Sequence, residues 1–418
     1  MFFRTIFPCF LFAGALASAA AEPLSLSLQQ AIQTALAHNP DLHLAALGLD
    51  GAGAAVLTAG AAPNPTLTLQ SFNLNPAEGL GAGSLRGKAA DSTLRLDQLL
   101  ERGGKRGLRV NAARSLEQAA SSDVGEARRQ LRLMVSLAYY DLLAARDKLL
   151  ITRESADLFD GTVAAARKRQ QAGDLAPADV ARAQVDALRA RNDIVQAESD
   201  LFTLRHGLAL LMGQDGPGTE PSEPSDPWPA DPAPAVPGGM RPDLLAAQAR
   251  VEAAATAHRL ALASRSADVS IGIQAEHFPA SAAHPQGSGN SFGIALQIPL
   301  MLRYAYQGEI RAADVARDIA QENLDRLRAL ARSEALVSAE HVRAARERLR
   351  RDDGELLLAA KKSADAAEFA FRHGALGIMD LLDVRRSYRS AQLEALAARA
   401  DFAKSLAAAQ AAATEGQP

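Results

Sequence analysis

The chain has 418 residues and a formal net charge of −3, with 45 basic residues against 48 acidic ones, so it carries no basic footprint for a nucleic acid. Hydrophobic residues make up 48% of it, but alanine dominates them and aromatics reach only 5%, which suits close helix-to-helix packing better than a bulky globular core. Its one cysteine, Cys9, lies in the opening segment, so no disulfide framework and no thiolate chemistry is expected of the mature protein.

Residues 1–21 read as a secretory signal. Arg4 supplies the positive start, Thr5 to Leu16 is mostly apolar, and Ala17-Ser18-Ala19 offers small residues for cleavage. Phe7-Pro8 ahead of Cys9 is not the small-residue context that lipidation needs. Beyond the signal no run of eighteen apolar residues is found, so no membrane-spanning helix is expected; a secreted chain that enters a membrane must then do so with strands.

The first repeat is expected over 22–212. Leu26 to Ala37 and Asp41 to Ala61 read as helices parted by Asn39-Pro40, and Pro63-Asn64-Pro65 stops the second. Strands follow at about 66–74 and 93–100, around a glycine-rich loop from Pro76 to Asp91. The apolar phase slips between Leu69 and Phe72, which predicts a bulge near Gln70-Ser71. A helical hairpin is expected over 105–212. Leu131, Val135, Ala138, Leu142, Ala145, Leu149, Thr152, Ala156, Phe159, Val163 and Ala166 step by fours and threes, and the step resumes from Val180 to Leu211.

A linker occupies 213–240, with eight prolines between Gly213 and Gly239; its Trp228 reads as a local packing anchor. The second repeat, 241–414, restates the first. Arg241-Pro242-Asp243-Leu244 answers Asn39-Pro40-Asp41-Leu42, and Gly374, Leu376 and Asp380 answer Gly173, Leu175 and Asp179, at offsets of 202 and 201 residues. Its strands, about 268–278 and 291–300, alternate strictly: Val269, Ile271 and Ile273, then Phe292, Ile294, Leu296, Ile298 and Leu300, are apolar on one face. They have the length of tilted membrane strands, and a hairpin over 305–414 completes the copy. A period near 200 residues is too long for a solenoid, so each copy is a whole structural unit.

Four strands cannot close a barrel, because about eight is the practical minimum, and an open sheet edge is intolerable in lipid. Two or three chains must therefore share one barrel, with rods of about 100 Å extending from one side. The fold class expected is a predominantly helical α+β membrane protein: a shared β-barrel with a long α-helical extension.

This duplicated helix–strand–strand–helix order resembles the outer-membrane factor family of tripartite efflux and type I secretion systems, across essentially the whole mature chain. The resemblance implies a homotrimer in the lipid of the bacterial outer membrane, with an α-helical barrel crossing the periplasm. It implies a periplasmic adaptor (membrane fusion protein) and an inner-membrane pump of the resistance-nodulation-division type as partners, and no cofactor. Leu99-Leu100-Glu101-Arg102-Gly103-Gly104-Lys105-Arg106 is similar to the strand-to-helix junction of the heavy-metal, cobalt–zinc–cadmium branch. Drug efflux or type I protein secretion on the same fold is the alternative cargo. A periplasmic coiled-coil adaptor is the alternative of another class, and the four strands argue against it.

Asp380 and Asp383 stand three apart in a first helical turn, where carboxylates compensate the helix dipole. Their match to the family implies a second duty, a periplasmic gate ringed by carboxylates, with Arg372 and His373 as candidates for a latch. Gly173 and Gly374 are expected in the left-handed conformation at the hairpin tips, and Leu175 and Leu376 beside them are expected to be exposed; the resemblance implies that these tips meet the adaptor. Glu276, His277 and His284 lie near one strand end without zinc-ligand spacing, so no metal site is assigned. No phosphate loop, nucleophile elbow or paired-carboxylate motif stands out, and no enzyme activity is expected.

Overall fold

The computed structural model describes residues 25–73, 90–214, 223–229, 241–280 and 284–413. The signal segment 1–21, most of the loop from Pro76 to Asp91 and most of the linker lie outside those residues.

The chain opens with β1 (Ser25–Leu26) and α1 (Leu28–His38), which starts on a reciprocal cap: Ser27 Oγ accepts from the Gln30 N–H and Gln30 Oε1 from the Ser27 N–H. Asn39 begins α2 (Pro40–Gly60) by accepting from the N–H groups of Asp41 and Leu42, while its amide donates to the Leu211 carbonyl at 3.0 Å. The second copy of this motif is used differently. Arg241, ahead of α5 (Pro242–Ala263), makes no cap and instead grips Asp243 at 2.7 Å and Glu334 at 2.6 Å. Contrary to the sequence expectation, α2 is long and apolar enough to cross a membrane, with a mean hydropathy of 1.4 over eighteen residues. Only 6% of that window is buried, and α2 lies along the long rod that follows.

Strands β2 (Thr66–Phe72), β3 (Asp91–Leu100), β5 (Val269–Phe278) and β6 (Gly289–Gln297) form one antiparallel sheet in the order β2-β3-β5-β6. Its register places Leu67, Leu96, Ile273 and Ile294 on one rung and Leu69, Leu94, Ala275 and Phe292 on another. The intervening rungs are Thr66–Asp97–Gly272–Ala295 and Thr68–Arg95–Gln274–Gly293. One face is therefore apolar from edge to edge, with Ile294 85% exposed at its margin. The expected bulge is absent: β2 pairs with β3 without interruption through Gln70 and Ser71. Strict alternation then puts Phe72 on the polar face, and the strand ends there, before Asn73 turns to positive φ.

After β3, α3 (Lys105–Gln171) runs unbroken for 67 residues and returns through α4 (Pro177–Leu211). The heptad positions Leu131, Val135, Leu142, Ala145, Leu149, Thr152, Ala156, Phe159, Val163 and Ala166 are buried, and Ala138 is half-buried. In the second copy, α6 (Gln307–Leu349) gives way to a π-helical stretch, Arg350–Leu356, before α7 (Leu357–Arg372) and α8 (Ile378–Ala413). The expected unbroken hairpin thus contains a wider turn that its counterpart α3 lacks. Around it Arg399 pairs with Asp353, and Arg348 bridges Asp352 and Asp401 at 3.1 and 2.8 Å.

The helices lie side by side in the order α4, α3, α8, α7. Among the described residues, the flank of α4 leaves Val185, Leu188, Val195 and Phe202 exposed, and that of α6 leaves Ile319, Leu330 and Val337 exposed. Half-way down the rods, β1 pairs in parallel with β4 (Glu223–Pro224), a two-residue piece of the linker. The Tyr139 hydroxyl donates to the Leu26 carbonyl at 3.0 Å and accepts from the Asp226 N–H at 3.1 Å. Trp228 stacks on Tyr140 and donates to Asp147 at 2.9 Å, which gives it the packing duty expected of it.

Candidate functional site

Three places concentrate chemistry: the hairpin tips, the polar face of the sheet, and the corner where sheet becomes rod. Each tip is closed by a glycine in the left-handed region, Gly173 at φ +85° and Gly374 at φ +75°. The following N–H groups reach back five residues, Asp174 to Arg169 at 2.9 Å and Ala375 to Ala370 at 2.8 Å, and so satisfy carbonyls the helix end leaves open. Leu175 and Leu376 differ from expectation. They are half-buried against one cluster that both hairpins share, of Phe159, Val163, Val180, Phe371, Ile378 and Leu381.

Asp380 and Asp383 open α8 and are both exposed. Asp383, its side chain 74% exposed, has Arg386 at 3.4 Å, and Arg386 reaches across to Asp186 of α4 at 3.8 Å. The first repeat is not equivalent: Asp179 stands where Asp380 does, but Arg182 replaces the second aspartate and pairs with Asp179 at 3.8 Å. Only the second tip follows its opening-turn carboxylate, Asp380, with another three residues on, Asp383. Neither latch candidate meets them within the chain, because Arg372 pairs with Glu368 at 3.1 Å and the His373 Nδ1 bonds the Phe369 carbonyl at 2.9 Å.

The sequence reading missed the arginines one turn higher. Arg385, with only 11% of its side chain exposed, donates to the Leu158 carbonyl and Thr162 hydroxyl of α3 and to Glu368 of α7. Burial pushes the Glu368 carboxyl up, but Arg385 and Arg372 overcome that and hold it below its ordinary value of 4.5. Arg389 reaches Asp193 of α4 at 2.6 Å. Arginines on one helix face are ordinary in sequence, and only their spacing of four and three hinted at a shared duty.

On the polar face of the sheet Arg95 lies along Asp97 at 2.8 Å, directly over Gly272, where a Cβ would collide with the carboxylate. Glu276 accepts from Ser291 at 3.1 Å, His277 bonds Asn290 at 2.8 Å, and His284 meets Asp91 at 3.2 Å. The three residues weighed as a metal cluster thus have separate partners.

At the corner the octapeptide is absorbed almost entirely by structure. Gly103, at φ +71°, has Ser266 and the Ala263 carbonyl where a Cβ would sit, and Gly104 starts α3 from φ +69°. Glu101 pairs with Arg109, the Arg102 N–H donates to Asp268 at 2.9 Å, and Lys105 Nζ bonds Asp268 at 2.9 Å and the Ser266 carbonyl at 2.8 Å. Arg106 donates to the Gly60 carbonyl at 2.6 Å. The second junction solves the same problem with Tyr306 at φ +61° and the Tyr304 hydroxyl, which accepts from the Gly308 N–H and donates to Glu309, both at 2.8 Å.

Comparison with known proteins places this architecture. The sequence profile of the family described as Outer membrane efflux protein matches residues 31–214 and 239–414. The chain is 26% identical over 378 residues to the cobalt-zinc-cadmium resistance protein CzcC of Cupriavidus metallidurans, covering 89% of this chain and 86% of that one. Among solved structures, the CmeC outer membrane channel of Campylobacter jejuni superposes with a TM-score of 0.78 at 16% identity, over 92% of this chain and 85% of that one. The outer membrane protein VceC of Vibrio cholerae gives 0.75 at 21% identity, over 92% and 95%.

Proposed function

The chain belongs to the outer membrane efflux protein family, and on that premise we propose that three copies of it form the outer-membrane exit duct of a tripartite system that expels heavy-metal cations. The observation that carries the duct is the sheet. Its apolar rungs run the full width, yet β2 and β6 each leave an edge unpaired in the single chain. The two edges are different strands, so neighbours join head to tail and the ring closes by rotation. Two copies would give eight strands, a barrel that side chains fill; three give twelve and leave a lumen.

The cargo follows from the similarity to CzcC, named for cobalt, zinc and cadmium resistance. The duct is passive: adaptor and inner-membrane pump supply energy and selectivity, and the chain contributes no catalysis. Residues 1–21 are its export signal, 22–212 and 241–414 its two structural repeats, and 213–240 the linker between them. Asp380 and Asp383 from each copy ring the periplasmic mouth, and Gly173, Leu175, Gly374 and Leu376 shape the tips the adaptor meets. The half-burial of both leucines supports tips that are rigid surfaces before any partner arrives. A deletion strain tests the cargo. It should lose tolerance to cobalt, zinc and cadmium and keep its tolerance to hydrophobic drugs; the reverse pattern would assign the duct to drug efflux.

A further inference from the structure

The corner between sheet and rods holds a basic and apolar collar that no contact described above uses. The carboxy ends of β3 and β6 and the amino ends of β2 and β5 all lie at the helix-bearing end of the sheet. There Leu300 and Leu302 are 75% and 85% exposed, and Leu99, Leu100 and Ile298 are exposed beside them. Leu100 stands on the apolar face of Leu96, Ile273 and Ile294 and Leu99 on the opposite one, while Ile298, Leu300 and Leu302 follow beyond the last paired rung. Tyr304, exposed on its ring and anchored through its hydroxyl, ends the apolar stretch as an interfacial aromatic does.

Charge is unbalanced at this level. Of the acidic residues at the corner, Glu101 and Asp268 are answered by Arg109 and Lys105, and Glu309 accepts from the Tyr304 hydroxyl. The guanidinium groups of Arg102, Arg265 and Arg303 are exposed and engage no carboxylate or carbonyl among the described residues. Three unanswered cations around an apolar wedge fit an anionic headgroup layer over acyl chains, and they fit neither water alone nor a second apolar protein face.

We propose that this collar, Arg102, Arg265 and Arg303 around Leu300 and Leu302, binds anionic phospholipid headgroups of the leaflet nearest the rods. The inference rests on the reading of the sheet as a membrane wall. The apolar side chains enter the acyl region, the arginines bond headgroup phosphates, and the channel's height in the bilayer is set by that layer. Each basic residue near an anionic surface is worth a factor of roughly five in lipid affinity.

The full-length mature protein, reconstituted in phosphatidylcholine with and without phosphatidylglycerol, tests this. Lipids retained after extraction are read by native mass spectrometry, alongside the thermal midpoint and single-channel conductance. Wild type should retain phosphatidylglycerol selectively and melt higher in its presence. The triple variant Arg102→Gln, Arg265→Gln, Arg303→Gln should lose both effects while keeping its conductance and its midpoint in phosphatidylcholine. The corresponding triple lysine variant should keep most of the preference. Unchanged phosphatidylglycerol retention in the glutamine variant would overturn the proposal. So would Leu302→Ser dissociating the oligomer equally in both membranes, since the segment would then be a contact between chains. Wild type that conducts in neither membrane would sink the membrane reading itself, an outcome distinct from intact conduction without lipid preference.

Discussion

Lys105 of the first repeat and Asp268 of the second meet at 2.9 Å across the corner where strands become rods, and the same carboxylate accepts the Arg102 N–H. Burial pushes the Asp268 carboxyl up, but Lys105, the Arg102 amide and Arg109 together hold it below its ordinary value of 3.8. A group depressed in the folded state adds stability that is full above its unfolded value and is lost as pH falls through the folded one. Asp268→Asn should therefore cost about 2 kcal/mol of stability at neutral pH, the loss of hydrogen bonds to a charged group, and lower the thermal midpoint accordingly. Its acid-induced loss below about pH 4 should be smaller than that of wild type. Parallel acid profiles for the two proteins would show that the corner does not depend on this charge.

Alternation on the sheet is tested by a pair of arginines. Ile294→Arg, on the apolar face, should cost about 2–4 kcal/mol near the bilayer midplane and reduce insertion. Gln274→Arg, on the polar face beside Arg95 and Gly293, should insert normally. Insertion yield from urea-unfolded protein into liposomes reads the difference, and equal yields would contradict the assignment of faces.

At the second tip, Asp380→Asn with Asp383→Asn should lower cation preference and weaken block by multivalent cations in planar bilayers. The effect should shrink at 1 M salt, where the screening length falls to about 3 Å. Because both carboxylates are exposed, the thermal midpoint should hardly move, each contributing about 0.3–1 kcal/mol to the helix start. Unchanged ion preference with a lower midpoint would assign them to dipole compensation alone.

Arg385 joins three helices through Leu158, Thr162 and Glu368. Arg385→Met should leave Glu368 with Arg372 alone and loosen α8 against α3, at a cost of about 1.5–3 kcal/mol. Amide exchange over Leu381–Arg389 should quicken, while exchange in the sheet stays as in wild type. Uniform exchange across the chain would mean that packing of Phe159, Ile378 and Leu381 alone holds this joint.

Periodic features were legible in the sequence because many residues vote for each. Eleven heptad positions from Leu131 to Ala166 face inward, ten fully buried and Ala138 half-buried, and the strict alternation from Phe292 to Leu296 lands on paired rungs. Features resting on single residues were not legible. The slip at Gln70-Ser71 resembled a bulge, yet the ladder runs straight and sends Phe72 to the polar side. The wider turn at Arg350–Leu356 leaves no periodic trace, since that helix buries few residues and its apolar pattern is weak there. The pairing of Ser25–Leu26 with Glu223–Pro224 joins two dipeptides almost 200 residues apart, beyond any local signal. At the tips the carboxylates were visible, but Arg385, Arg386 and Arg389 were indistinguishable from a solvated face until their partners on neighbouring helices were placed.

The clip at Tyr139 also bears on how identical chains sort their halves while a ring forms. The stretch between Met212 and Arg241 would reach about 90 Å if fully extended, enough to let one chain's second half settle into a neighbour. Such an exchange is a low-cost route to tangled assemblies, because every contact is identical in the swapped and unswapped forms. Holding Asp226 on the Tyr139 hydroxyl, with Arg146 on the Pro224 carbonyl, divides that tether into two short leashes. Each second half is thereby kept beside its own first half, so subunits meet as finished wedges and the ring closes without entanglement.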